Sequence, residues 1–122
     1  MAYSVEIVNS KKELTKKERI QIKDMTNVIK LDSATQDGDF EIEVVDNIVE
    51  LKIHNDKSNP ADYTNIVVID GDGNRYATGS ASFARSLKNI DDEMEDEEYG
   101  IICYRRPSQN YKGKDFLSCS LA

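Results

Sequence analysis

The segment Tyr63-Thr-Asn-Ile-Val-Val-Ile69 constrains the fold more than any other part of the chain. Ile66 to Ile69 are four consecutive β-branched aliphatics, so an alternating strand would present apolar side chains on both of its faces. Such a strand belongs in the middle of a sheet rather than at its rim. Asp70-Gly-Asp-Gly-Asn74 follows, with the glycines and short polar residues that supply positive φ to a turn. Arg75–Thr78 then reads as the returning strand. The alternate oxygens of this turn also suggest the opening of a calcium loop. However, its sixth position is Arg75 rather than glycine and its twelfth is Ala81 rather than glutamate, so a hairpin turn is the better reading.

Other elements arrange themselves around this pair. Tyr3, Val5 and Ile7 alternate and suggest a strand over residues 2–8. Ser10-Lys-Lys-Glu13 and Thr15-Lys-Lys-Glu18 both have capping-box spacing, which predicts a short helix or turn around residues 11–18. Ile20 and Ile22 alternate with Gln21 and Lys23, so a strand competes there with continuation of the helix. Residues 26–31 favour a strand, and Asp32 to Asp39 reads as a loop. Phe40, Ile42 and Val44 form one alternating run and Val49, Leu51 and Ile53 another, with Asp46-Asn47 suited to a tight turn between them. His54 to Asp62 is a loop containing Pro60. Ser80 or Ser82 caps a helix whose apolar stripe is Phe83, Leu87 and Ile90. Tyr99–Arg106 and Lys114–Leu121 form a final hairpin.

The expected class is therefore mainly β with one or two short helices (α+β), as a single domain over residues 1–122. Its 39% hydrophobic content is too high for a disordered tail. The net charge of −7 makes non-specific adhesion to nucleic acid unfavourable, so any such contact must be local. Charge is segregated: residues 11–30 carry a net +4, residues 31–104 a net −13 and residues 105–122 a net +3. The two basic ends are candidates to line one groove. Asp91 to Glu98 holds seven carboxylates in eight residues, which suits a solvated surface or the recruitment of a basic protein partner.

Cys103 and Cys119 lie on the predicted final strands with no CxxC spacing, and one histidine cannot complete a zinc site with them. Buried thiols in a reducing, intracellular (cytoplasmic) setting are expected. No signal peptide or membrane-spanning run is visible, so no membrane partner is expected. No catalytic constellation or phosphate-binding glycine loop stands out. Neither enzymatic activity nor a cofactor or metal is expected, and a metal-dependent enzyme using the acidic cluster is the weakest reading.

The sharpest functional pattern is Tyr104-Arg-Arg-Pro-Ser-Gln-Asn-Tyr-Lys-Gly-Lys-Asp-Phe116. Four cations, Arg105, Arg106, Lys112 and Lys114, stand within ten residues, interleaved with Tyr104, Tyr111 and Phe116. Cations neutralise phosphates and rings stack on unpaired bases, the combination that a single-stranded nucleic-acid groove uses. Strand alternation puts Lys114, Phe116, Ser118 and Ser120 on one face, joined by Tyr104 and Arg106, and an apolar set on the other. The alternative is a hairpin whose cations only keep an edge from aggregating.

Tyr63 to Ser80, the helix after it, and Arg106 to Phe116 together resemble small single-stranded DNA-binding proteins of phages and mobile elements, over roughly the C-terminal half. The resemblance implies an OB-fold-like small β-barrel binding single-stranded DNA in replication or recombination. A helix before the last hairpin fits that arrangement, with residues 1–31 an addition or the source of the first strand. The housekeeping bacterial relatives end in an acidic tail that recruits partners. This sequence ends Leu117-Ser-Cys-Ser-Leu-Ala122, so recruitment would fall to Asp91 to Glu98. The expected nucleic-acid-binding residues are Tyr104, Arg105, Arg106, Tyr111, Lys112, Lys114 and Phe116, with Lys52 and the lysines between Lys11 and Lys30 extending the path. Homo-oligomerisation is left open. The competing expectation is a small acidic inhibitor or adaptor that mimics nucleic acid and occupies the basic channel of a host enzyme.

Overall fold

The computed structural model describes residues 3–107 and 115–122. Among the described residues the chain is mainly β, with three helices and two sheets. In order it runs β1 (Tyr3–Ser10), α1 (Lys16–Lys23), β2 (Val28–Lys30), α2 (Leu31–Ala34), β3 (Phe40–Ile42), β4 (Val45–Asn55), β5 (Asp62–Asp70), β6 (Arg75–Thr78), α3 (Ala81–Met94), β7 (Ile101–Pro107) and β8 (Asp115–Leu121). The larger sheet has the order β1-β4-β5-β6-β2, antiparallel except for β2 against β6. The smaller is β3-β7-β8.

The apolar run on β5 is the middle strand of five, as its composition requires. Ile66 and Val68 face one core, shared with Phe83 and Leu87 of α3, Ile101 and Cys103 of β7, and Leu117 and Cys119 of β8. Val67 and Ile69 face a second core, shared with Val49, Leu51 and Ile53 of β4 and Ile22 of α1. The result is layered: α1 lies on one face of the large sheet, and the small sheet with α3 lies on the other.

Local expectations are in part met and in part corrected. Residues 20–23 are helical. The Thr15–Glu18 capping box forms, with Glu18 N–H donating to Thr15 Oγ1 (3.1 Å) and Thr15 N–H to Glu18 Oε1 (2.9 Å). Only Ile22 is buried, whereas Ile20 faces solvent. Asp46-Asn47 is no turn but part of β4, at a bulge between Val45 and Asn47. The Asn47 side-chain carbonyl there accepts from Ile48 N–H (2.9 Å) and from Lys12 N–H (2.8 Å), the latter a contact that a local sequence window does not contain. The expected loop at residue 32 begins with a single helical turn, α2, whose Leu31 is fully buried.

At Glu43–Val44 the chain leaves the small sheet and enters the large one. Val45 N–H donates to the Tyr99 carbonyl (2.9 Å), so pairing with the β7 segment continues around this corner. Gly100 sits against it, where a β-carbon would collide with the Glu43 carbonyl oxygen. No closed barrel forms among the described strands, because the outer edge of β6 is taken by β2. The end of β6 and β8 are instead linked through Ser80, whose Oγ donates to the Leu117 carbonyl (2.7 Å) while also capping α3.

Candidate nucleic-acid interface

The β7–β8 register pairs Arg106 with Phe116, Tyr104 with Ser118, and Ile102 with Ser120. Cross-strand partners share a face, so these six side chains project away from the core that Cys103, Leu117 and Cys119 enter. The Arg106 guanidinium lies over the Tyr104 ring, 4.0 Å from its centroid, and Arg106 Nη1 donates to the Arg105 carbonyl (3.0 Å). Phe116 is 39% exposed, unusual for a ring on a strand so close to the core. A cation, a half-buried phenol and an open phenyl ring therefore stand together on one outward surface.

Ser118 is buried although it belongs to this face, because Ser86 Oγ of α3 lies 3.0 Å from its hydroxyl. Helix α3 thus borders the surface beyond β8. Arg85, next to Ser86, is exposed and has no ion pair among the described residues. Sequence reasoning passed over Arg85 because it stands outside the cation-rich segment.

Arg105 points the other way. It pairs with Leu117, its Nε donates to Thr35 Oγ1 (3.1 Å), and its Nη2 donates to the Asp32 carbonyl. Its guanidinium holds α2 against β7. Lys52 is exposed on β4, opposite Glu6 and Thr64, beside a hollow of about 270 Å³ that Glu50 and Asp62 also line. It therefore stands on the large sheet rather than on the face of Tyr104, Arg106 and Phe116. Tyr111, Lys112 and Lys114 lie outside the described residues.

Among the described residues the basic ends do not share one groove. α1 covers the far face of the large sheet, so its outer surface and that of the hairpin point away from each other. Lys11 is already paired with Asp91, which also accepts from the Tyr99 hydroxyl (2.8 Å), and Lys12 is paired with Asp46. Of the acidic run, Asp91 is thus part of the fold, whereas Glu95 to Glu98 are exposed. A groove of about 560 Å³ is lined by Glu41, Glu43, Asp70, Asp72 and Glu98, with no cation among its described lining residues; Glu41 pairs with Ile102 and so shares the outward face of the small sheet.

The remaining polar groups serve local structure. Asp70 Oδ1 accepts from the N–H groups of Asp72 (3.0 Å) and Asn74 (2.8 Å), and its Oδ2 from the Asn74 amide (3.0 Å) and the Tyr76 hydroxyl (3.1 Å). The carboxylate is used by the turn, in which Gly73 adopts φ +86°. Cys103 and Cys119 face each other across β7–β8, both free and buried. Burial pushes both thiols up to about 12, so neither is a ready nucleophile. Among the described residues no helix is long and apolar enough to cross a membrane. Compared with protein-family models, curated proteins and solved structures, the chain matches none.

Proposed function

We propose that this protein binds single-stranded nucleic acid, single-stranded DNA in the setting that its resemblance implies, across the outer face of β7–β8. Phage or mobile-element replication or recombination is that setting. The observation that carries the proposal is the juxtaposition of Tyr104, Arg106 and Phe116 on one solvent-facing surface. A guanidinium plane and an open ring both accept a stacked base, and the same guanidinium neutralises a phosphate. Arg85 extends the cationic path along α3, while Arg105 positions α2 instead of touching the ligand.

Chain path supports an OB-like core. Taken as one bent strand, β3 and β4 would be the first barrel strand, β5 and β6 the second and third, and β7 and β8 the last two, with α3 between the third and fourth. Residues 1–30 would then be an addition. On this reading the surface that OB-folds commonly use, the outside of strands two and three, is occupied: Val67, Ile69 and Ala77 pack under α1. That moves the proposed interface to the final hairpin.

The test is a titration of fluorescent oligo-dT at two salt concentrations. Binding should weaken with salt at a slope near −0.7 per phosphate contacted. Loss of Phe116 to alanine should cost about 1–3 kcal/mol, roughly five- to 150-fold in affinity. No binding to oligo-dT, or binding indifferent to salt, would sink the proposal.

A second reading rests on the acidic groove. Its five carboxylates suit a nucleic-acid mimic that occupies the basic channel of a host enzyme. Capture of such an enzyme, lost on reversing Glu41 and Glu43 but kept when Arg106 is replaced, would favour it.

A further inference from the structure

We propose that the outward face of α1 docks into the acidic groove of a second copy of this chain, head to tail. The inference is independent of nucleic-acid binding. Ile22 anchors α1 to the second core. At 100° per residue the opposite side of the helix centres on Ile20, which is 61% exposed, with Lys16, Lys17 and Lys23 around it and Arg19 at the flank. All four cations are exposed and none is in an ion pair among the described residues. This is an unpartnered helix face, basic with an apolar centre, in a protein of net charge −7.

Charge complementarity selects the occupant. The groove of about 560 Å³ offers Glu41, Glu43, Asp72 and Glu98, all exposed, together with the turn carboxylate Asp70. Each copy therefore carries both halves of the contact on separate surfaces. α1 lies on one side of the large sheet, and the groove opens at the corner where β3 passes into β4. Within one copy α1 is fixed by Ile22 in the second core, which turns its basic side away from the sheet. Two different patches meeting form a heterologous interface, which propagates as an open chain unless its rotation closes a ring. Nucleic acid is the poorer occupant for α1, because its exposed side carries no ring on which a base could stack.

The experiment is sedimentation velocity on the full chain without nucleic acid, at low and high salt over a range of protein concentrations. Average mass should rise with concentration at low salt and return to the monomer at high salt, where the Debye length shrinks. K16E/K17E/R19E/K23E and E41K/E43K/E98K should each weaken self-association by on the order of tenfold or more. Mixing the two variants should restore it. Ile20→Ser, at an exposed position that leaves the fold intact, should weaken association without changing charge. A wild-type monomer at every concentration in low salt overturns the proposal, as does association indifferent to both reversals. So does a wild-type monomer whose α1 reversal loses oligo-dT binding, since the face would then be a phosphate contact.

Discussion

Arg105 and Arg106 are neighbours of one residue type with different environments, because a strand turns successive side chains to opposite faces. Arg106 lies over Tyr104 in solvent, and Arg105 donates to Asp32 and Thr35. Arg105→Ala should therefore lower thermal stability, by about 1–2 kcal/mol for a charged hydrogen-bonded group that is partly exposed. Its effect on oligo-dT affinity should be smaller than that of Arg106→Ala, and paired melting and anisotropy measurements separate the two. His54 makes a different prediction. Its Nδ1 lies 2.7 Å from Asp62 and its Nε2 2.6 Å from Asp56. Carboxylates only accept, so this arrangement favours the protonated ring, which carries hydrogen on both nitrogens. The hydrogen bond to Asp62, then that to Asp56, raises its pKa above 6.5. The stabilisation is present in full below 6.5 and is lost as pH rises through the higher folded value. An NMR titration should find the midpoint above 6.5, and Asp62→Asn should bring it down.

At the scale of elements, close approach and capping decide the outcome. Gly100→Ala should destabilise by roughly 1–3 kcal/mol, because the added methyl meets the Glu43 carbonyl at the corner between the sheets. Chemical denaturation would show a lower midpoint at unchanged slope. Thr15→Ala removes a formed capping box and should cost about 1 kcal/mol. Helix α3 and the Asp70–Asn74 turn were legible in the sequence because their determinants are local: Ser80 caps, Phe83 and Leu87 fall in phase, and glycine permits the turn. The helical course of residues 20–23 was ambiguous because Ile20 and Ile22 alternate as a strand would. Only the burial of Ile22 beside the exposure of Ile20 resolves it. The bulge at Asn47 was illegible, since its amide is satisfied by Lys12, 35 residues away.

For the molecule as a whole, the large sheet has a core on each face, so its two halves stand together. The residues that α1 covers, including Val49, Leu51, Val67 and Ile69, are buried aliphatics. Fully burying each such side chain contributes about 1.5–3 kcal/mol. Removing residues 1–30 should therefore give a chain that aggregates rather than a minimal nucleic-acid-binding core, and light scattering of the truncated protein checks this. Ile22→Ala should cost about 2–5 kcal/mol by leaving a cavity in the same layer.

The sequence alone determined the central strand, the turn after it, the capped helix and the two-faced final hairpin, because each depends on the periodicity or backbone chemistry of a few adjacent residues. It also segregated charge along the chain. Only the tertiary structure decided where that charge lies in space: α1 on one side of the large sheet, the hairpin surface on the other, and Lys11 and Arg105 committed to contacts with distant residues. The physical reason is that side-chain direction follows from local alternation, whereas the company a side chain keeps depends on how layers pack across long stretches of chain.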